Sequence, residues 1–171
     1  MDIIRPVEAR DLTALRRWHN NKTLRNNTHG FRFPVNSEME KAWFDSITKN
    51  AAPKKAVFAV QSDDGVIIGL AQLDNIDLVH RNGKLGIFIG DQKTRGKGHG
   101  KRALLELIRF GFDDLNLSKI YLYVNASNKH AKQLYLDCEF ITEGTLKKHY
   151  FLDGSWEDLL IMSTFRNIRQ S

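Results

Sequence analysis

The sequence predicts an α/β (α+β) fold with a mixed, mostly antiparallel central sheet flanked by helices. Two hairpin signals, Asp64-Gly65 and Asp153-Gly154, lie between apolar runs that are typical of strands. One amphipathic helix beginning near Gly98 lies between the strands predicted at 85–89 and 120–124, which indicates a crossover connection. Hairpins combined with a crossover favour a mixed sheet with helices on its faces.

The first part of the chain is predicted to hold one strand and two helices. Residues 3–7 are predicted to form the strand, and Asp11 is placed to cap the first helix. The segment 21–34 is polar and rich in turn-forming residues, so no regular element is predicted there. Ser37 and Glu40 have the spacing of a capping box, which predicts that the second helix begins at Ser37.

The remaining elements follow from apolar periodicity. They are strands at 56–60, 66–76, 85–89, 120–124, 145–152 and 158–164 and helices at 98–115 and 128–138. The predicted order is β-α-α-β-β-β-α-β-α-β-β. We find no linker, repeat or low-complexity tract, so residues 1–171 are predicted to form a single domain.

Composition is ordinary for a globular cytoplasmic protein, with 42% hydrophobic and 27% charged residues. No apolar run approaches the ~18 residues that cross a membrane, and the first residues lack the features of a signal peptide. We therefore expect a cytoplasmic location and no membrane partner. The single cysteine, Cys138, is expected to be a buried thiol. The six histidines form no close pair and no Cys/His cluster, so no metal is expected.

The formal net charge of +6 has its main concentration at residues 93–97, with Lys101 and Arg102 just beyond. A basic protein can favour nucleic acid, acidic lipid or an anionic cofactor. Because these cations coincide with a glycine-rich turn, a local phosphate site is favoured over a broad nucleic-acid face. No nucleic-acid partner is therefore expected.

The glycine-rich turn, Arg-Gly-Lys-Gly-His-Gly at 95–100, lies between a predicted strand and a predicted helix. Its glycines permit positive φ and close approach to a ligand, and the helix N-terminus favours an anion. A Walker A loop would need Ser or Thr where Arg102 stands. A dinucleotide fingerprint fits 98–103, but the next strand ends in Asn125 instead of an acidic residue. A purely structural turn stays open.

A second motif follows the predicted strand at 120–124 and consists of Asn128, Ala131, Tyr135 and Phe140. With the pattern Arg95-x-x-Gly98-x-Gly100, one helix and one strand earlier, it resembles the GNAT superfamily of N-acetyltransferases. The resemblance implies the GNAT fold and acetyl-CoA as co-substrate. It also implies acetyl transfer to a primary amine by direct attack in a ternary complex.

The resemblance further implies roles for particular residues. The turn would hold the pyrophosphate, the strand at 85–89 would hydrogen-bond the pantetheine amides, and Asn128 would contact the same arm. The implied cofactor-binding residues are Ile87, Phe88, Ile89, Arg95, Gly96, Lys97, Gly98, His99, Gly100 and Asn128. Tyr135 would be the catalytic acid that protonates the leaving thiolate. Without the resemblance, Tyr135 would be interpreted as a core aromatic residue and Asn128 as a helix cap.

The similarity covers nearly the whole chain and resembles the branch with ribosomal-protein alanine and spermidine N-acetyltransferases. The segments that carry it are Arg5-Pro6, Trp18-His19-Asn20, Ala42-Trp43-Phe44, His80-Arg81 and 143–158. This branch fixes the reaction better than the substrate. The acceptor is expected to be a small amine, an amino-sugar or a protein N-terminus, and a homodimer is compatible with these expectations.

Two positions and one segment depart from the pattern of relatives. Lys84 stands where many relatives carry Glu, so the general base is unassigned, and Glu139 stands where Gly is usual. The segment 25–33 carries two arginines and no carboxylate, unlike spermidine acetyltransferases. This favours an acceptor with an anionic group over a simple polyamine. Two other functions are weighed against the enzyme: a catalytically degenerate acyl-CoA sensor and a nucleic-acid-associated binding module.

Overall fold

The computed structural model describes residues 2–28, 32–49 and 54–166. The helices are α1 (Leu12–His19), α2 (Lys22–Thr28), α3 (Ser37–Thr48), α4 (His99–Arg109) and α5 (Lys129–Leu136). The strands are β1 (Ile4–Pro6), β2 (Ala56–Gln61), β3 (Ile67–Asp77), β4 (Asn82–Ile89), β5 (Lys119–Asn125), β6 (Ile141–Leu152) and β7 (Ser155–Phe165). Short 3₁₀ turns lie at Ala9–Asp11 and Gln92–Thr94, and a π-helical turn at Phe110–Asp114 follows α4.

The strands form one sheet in the order β1-β2-β3-β4-β5-β7-β6. Every neighbouring pair is antiparallel except β4 and β5, which are parallel and are joined through α4. The predicted fold class, a mixed and mostly antiparallel sheet flanked by helices, is therefore confirmed. Among the described residues, no helix is long and apolar enough to cross a membrane.

Two hydrophobic clusters cover the two faces of the sheet. The larger cluster holds α4, α5 and the buried sides of the central strands, including Leu104, Leu107 and Tyr135. The smaller cluster packs α1, α2 and α3 against the other face, around Leu15, Trp18 and Leu70. Because side chains alternate along a strand, Ile87 belongs to the first cluster and Phe88 to the second. β4 therefore borders both faces.

Helix α2 was missed by the sequence prediction, which assigned no element to 21–34. The side chain of Asn21 accepts a hydrogen bond from the backbone N–H of Leu24 and caps α2. Leu24 is the one buried residue among those of α2. An isolated helix this short is not stable, so tertiary contacts maintain it.

The predicted side-chain caps of α1 and α3 are wrong. The side chain of Asn36, not Ser37, caps α3 by accepting from the N–H of Met39 at 2.9 Å. Asp11 makes no capping bond to α1; its carboxylate accepts from both Nη atoms of Arg5 and from the N–H of Glu8. At α3 the cap is therefore a local one that lies one residue earlier than predicted, whereas at α1 the ion pair with Arg5 engages the carboxylate that was expected to cap the helix.

Candidate active site

The sheet opens between β4 and β5. These strands pair only from Asn82–Lys119 to Lys84–Tyr121. Beyond that point β4 stays paired with β3 up to Ile89, while β5 follows β7 up to Asn125. The edge of β4 that faces β5 therefore has no strand partner over its last residues, among those described. The predicted contact residues Ile87, Phe88 and Ile89 lie on this stretch, where the backbone can bind an extended amide-bearing ligand.

The glycine turn lies just beyond the end of β4. Gly96 and Gly98 have φ of +75° and +83°, values that L side chains rarely adopt. A β-carbon at either position would meet no protein atom within 4 Å, so the turn borders open space. Helix α4 begins at His99, and its first backbone N–H groups have no acceptor within the helix. Open space beside free donors fits a bound phosphate group.

The basic residues of the turn differ in their surroundings. Arg95 donates from Nε and Nη2 to the carbonyl oxygen of Ile89 at 3.1 and 3.0 Å, so it fastens the turn to the end of β4. Lys97 is exposed and has no ion pair among the described residues. His99 is buried, and its Nδ1 has no hydrogen-bond partner there. It follows that His99 offers a ligand its backbone N–H more readily than its ring.

Helix α5 begins at the carboxyl end of β5 and carries Asn128 and Tyr135. The Asn128 side chain accepts from the N–H of Ala131 at 3.1 Å, so it acts as the cap of α5. Tyr135 is 8% exposed, its ring packs on Phe140, and its hydroxyl makes no hydrogen bond with the described residues. Burial raises the pKa of Tyr135 to about 12, which keeps the phenol protonated at neutral pH.

The turn after α5 shows why Gly is usual in the family at the position of Glu139. Glu139, which stands where relatives usually have Gly, has φ of +64°. This left-handed conformation costs an L residue about 1–2 kcal/mol. The position therefore favours Gly on conformational grounds, and the chain makes the turn despite Glu139.

A cavity of about 400 Å³ lies on the opposite face of the sheet from α4 and α5. It is bounded by α1, α2, α3 and by Gly86 to Phe88 of β4, the stretch where the sheet opens. Its described walls are mostly apolar and aromatic. Gly90 permits this arrangement, because a β-carbon there would lie 2.2 Å from the Trp18 ring. α1 can therefore approach the end of β4 closely.

Two polar residues of this cavity were not predicted as site residues. The Nδ1 of His19 lies 2.9 Å from Oε2 of Glu40, whose side chain is only 2% exposed. The other carboxylate oxygen, Oε1, is buried and has no hydrogen-bond partner among the described residues. The capping-box interpretation assigned Glu40 to the start of its own helix. Its spacing from Trp43, Phe44 and Ile47 could have placed it on the buried face of α3.

Cations lie at the edge of the same cavity. Arg25 donates from Nη1 to the backbone oxygen of Arg32. Lys55 pairs with Asp74 at 3.3 Å. Lys84 is not among the residues that line the cavity and lies where the pairing of β4 with β5 ends. Among residues 2–28, 32–49 and 54–166, no three His, Cys, Asp or Glu side chains are grouped so as to hold a metal ion. The expected absence of a metal stays a prediction.

An opened parallel strand pair, a glycine turn that leads into a helix N-terminus and a cavity across the sheet define the class of acyl-CoA-dependent N-acyltransferases. The family model described as acetyltransferase (GNAT) domain matches residues 3–141, and the chain belongs to this family. The protein is an acetyl-CoA-dependent N-acetyltransferase that transfers the acetyl group to an amine. The sensor and the nucleic-acid module are not favoured.

Relatives of known name support this family assignment. The chain is 31% identical to spermidine N(1)-acetyltransferase of Vibrio cholerae over 91% of its own length and 88% of that protein. It is 30% identical to the Escherichia coli K12 enzyme of the same name, over 96% and 86%. A crystal structure of the Vibrio cholerae enzyme with CoA and spermine superposes with a TM-score of 0.84 at 30% identity, over 95% and 94% of the two chains.

Proposed function

We propose that acetyl-CoA lies on the α4 and α5 face with its pyrophosphate on the turn at 95–100, while a small primary amine enters from the cavity across the sheet. The opening between β4 and β5 is the observation that carries this proposal, because it is where the two faces meet. The pantetheine arm runs along the free edge of Ile87 to Ile89. Asn128, at the start of α5, borders the same arm.

The reaction is direct attack of the amine on the thioester carbonyl. The nitrogen–carbon bond forms, the carbon–sulfur bond breaks, and Tyr135 donates a hydrogen bond to the thiolate as it leaves. Backbone N–H groups of β4 stabilise the charge that develops on the carbonyl oxygen. A covalent acyl-enzyme is disfavoured because Cys138, the single cysteine, is buried and burial raises the pKa of its thiol.

Initial-rate kinetics test the order of events. A ternary complex gives intersecting lines when acetyl-CoA and amine are varied, whereas a covalent intermediate gives parallel lines. Release of free thiol is the readout. Parallel lines would overturn direct attack without touching the family assignment.

The acceptor class follows from the cavity. A volume of about 400 Å³ lies at the small end of the range for small-molecule sites, which favours a small amine over a protein N-terminus. The buried carboxylate of Glu40 suits a cationic amine. The segment 25–33 has no carboxylate, which led us to expect that polyamines would fit poorly, and Glu40 supplies the acidic group from α3 instead. Residues 29–31 of that segment lie outside the described residues. The similarity to two spermidine N(1)-acetyltransferases supports an amine of the spermidine type.

An acceptor panel decides between the remaining classes. Spermidine, benzylamine, glucosamine 6-phosphate and an alanine-starting peptide are each incubated with the protein and acetyl-CoA, and free thiol is followed. We expect turnover of spermidine or benzylamine to exceed that of the other two. Preference for the phosphorylated amino-sugar would restore the expectation of an anionic acceptor, and preference for the peptide would overturn the small-amine proposal.

The other expectations remain proposals with simple tests. We propose that the chain acts as one catalytic domain in the cytoplasm, without metal, nucleic acid or membrane, and that it assembles as a homodimer. The continuous seven-stranded sheet supports the single domain. Analytical ultracentrifugation measures the assembly, dialysis against a chelator before assay tests the metal, and cell fractionation tests the location.

A further inference from the structure

The amine proposed above requires a base. An alkylamine is protonated at neutral pH, and an ammonium ion has no lone pair with which to attack a carbonyl. Among the described residues that line the cavity, only His19 and Glu40 can accept a proton. Arg25 and Lys55 are cations, and Lys55 already pairs with Asp74. The base must therefore be found in this pair or in solvent.

We propose that His19 is the base that takes the proton from the acceptor amine and that Glu40 holds and orients its ring. His19 is the last residue of α1, and Glu40 lies on α3. Nδ1 of His19 lies 2.9 Å from Oε2 of Glu40, and the tautomer in which Nδ1–H donates to this oxygen satisfies both groups. Nε2 of His19 then carries the lone pair, and it makes no hydrogen bond with the described residues. This inference rests on the proposed function and names a residue that function left open.

The position of the His19 ring supports this role. The ring centroid of His19 lies 5.8 Å from that of Trp43 and 6.4 Å from that of Phe88 on β4, and both pairs are in edge-to-face geometry. Phe88 lies on the stretch of β4 where the sheet opens, so the base borders the place where the acetyl group is presented. The side chain is 28% exposed, which leaves a path for the proton to solvent. A wholly buried histidine would lack that path.

Glu40 also contributes its negative charge. Its Oε1 is buried and has no hydrogen-bond partner in the described part of the chain, a state that costs free energy. An ammonium group in the cavity can donate an N–H to Nε2 of His19, and the negative charge of Glu40 close behind the ring favours a cation there. The buried carboxylate therefore selects a cation, and the imidazole beside it removes the proton.

The proton balance is complete without another reactant. An ammonium ion and acetyl-CoA give an amide, a free thiol and one proton. His19 takes that proton from nitrogen before attack and passes it to solvent, while the second proton lost by nitrogen compensates the thiolate. The charged groups facing His19 are Glu40 from α3, Arg25 from α2 and Lys55 from the segment before β2.

The test compares an acceptor that must lose a proton with one that need not. Spermidine is protonated at neutral pH, whereas O-methylhydroxylamine is not. His19→Asn keeps an N–H that can reach Glu40 but removes the basic nitrogen. We expect kcat/KM for spermidine to fall ~10²-fold, kcat/KM for O-methylhydroxylamine to fall less than ~3-fold, and acetyl-CoA affinity to stay unchanged. His80→Asn, the same change at an exposed histidine outside the cavity, is the matched control.

The pH profile separates a base from a structural residue. In the wild type we expect kcat/KM for spermidine to fall on the acidic side with one limb, and His19→Asn to remove that limb. Glu40→Gln, which is nearly isosteric, should lower kcat/KM for spermidine and leave the affinity for acetyl-CoA unchanged, because it removes the carboxylate that orients the ring of the base.

Several outcomes would overturn the inference. Equal losses for both acceptors would make His19 a structural residue. An unchanged acidic limb in His19→Asn, or an unchanged kcat/KM for spermidine in Glu40→Gln, would remove that residue from the mechanism. In labelled full-length protein, ¹⁵N NMR that finds the proton of neutral His19 on Nε2 would contradict the geometry. A wild type that acetylates no amine overturns the proposed function itself, which the variants cannot do.

Discussion

Tyr135→Phe removes one hydroxyl and almost no volume. The ring is buried against Phe140, so the fold and the affinity for acetyl-CoA should be retained. Because the hydroxyl makes no hydrogen bond with the described residues, the substitution leaves no protein partner unsatisfied there. Any loss of rate therefore reports what the hydroxyl does for the reacting groups.

The raised pKa of Tyr135 limits the size of that loss. A phenol with a pKa of about 12 is a weaker acid than a thiol, whose ordinary pKa is about 8.5. Because the two pKa values differ by about 3.5, complete proton transfer to the thiolate would be uphill by ~5 kcal/mol. Donation of a hydrogen bond is the favoured role, and such a bond to a charged group contributes ~1.5–3 kcal/mol. We therefore expect the acetyl-transfer step to slow by about 10- to 150-fold.

Single-turnover stopped-flow kinetics are needed, since slow product release can mask a defect in chemistry. The transfer rate should fall while the acetyl-CoA dissociation constant stays within ~2-fold, the pattern of an interaction made in the transition state. Tyr123→Phe, the same change on β5, is the control. A wild-type rate in Tyr135→Phe would remove the residue from the mechanism. A loss above ~10³-fold, or an alkaline limb well below pH 11 that vanishes in the variant, would refute the hydrogen-bond argument.

Three further changes test the turn and the scaffold. Gly100→Val should weaken acetyl-CoA binding at least ~10-fold. Little stability should be lost, because a β-carbon at this position would meet only Ile89, at 3.6 Å. Gly144→Val is the control, and an unchanged affinity of Gly100→Val by calorimetry would contradict the phosphate site. Arg95→Ala should weaken acetyl-CoA binding more at low than at high salt; an equal loss for acetyl-pantetheine would assign Arg95 to fastening Ile89 alone. Asp11→Asn should cost about 3 kcal/mol at pH 7 by breaking a buried ion pair. Burial raises the pKa of Asp11, but hydrogen bonds from Arg5 and the Glu8 N–H outweigh it and hold the pKa below its usual value. The lost stability should therefore shrink as pH falls below ~4, and an equal loss at pH 7 and pH 3 in urea titrations would contradict this.

The backbone geometry of the proposed cofactor side was largely predictable because it is local. Positive φ at Gly96 and Gly98 and the start of α4 at His99 follow from the order of glycines before an amphipathic helix. The fold class followed from hairpin signals and one crossover. The capping role of Asn128, which the residues alone suggested, is also local.

The acceptor side was not predictable in the same way. Its cavity depends on α2, a seven-residue helix with one buried side chain, which periodicity cannot detect. Glu40 and His19 are 21 residues apart and meet only because α1 packs on α3. A carboxylate on an apolar helix face is ambiguous in sequence, because a cap, a solvated charge and a buried ligand look alike until the tertiary contact is known.

The two groups that are proposed to handle protons lie on opposite sides of the sheet, next to its opening. Tyr135 belongs to the cluster under α4 and α5, whereas His19 lies with α1 to α3 across β4. An amine must lose a proton as it approaches and a thiolate must be stabilised as it departs. Their placement on opposite sides of β4 lets the two groups reach one carbonyl from different directions, which suits direct transfer without a covalent intermediate.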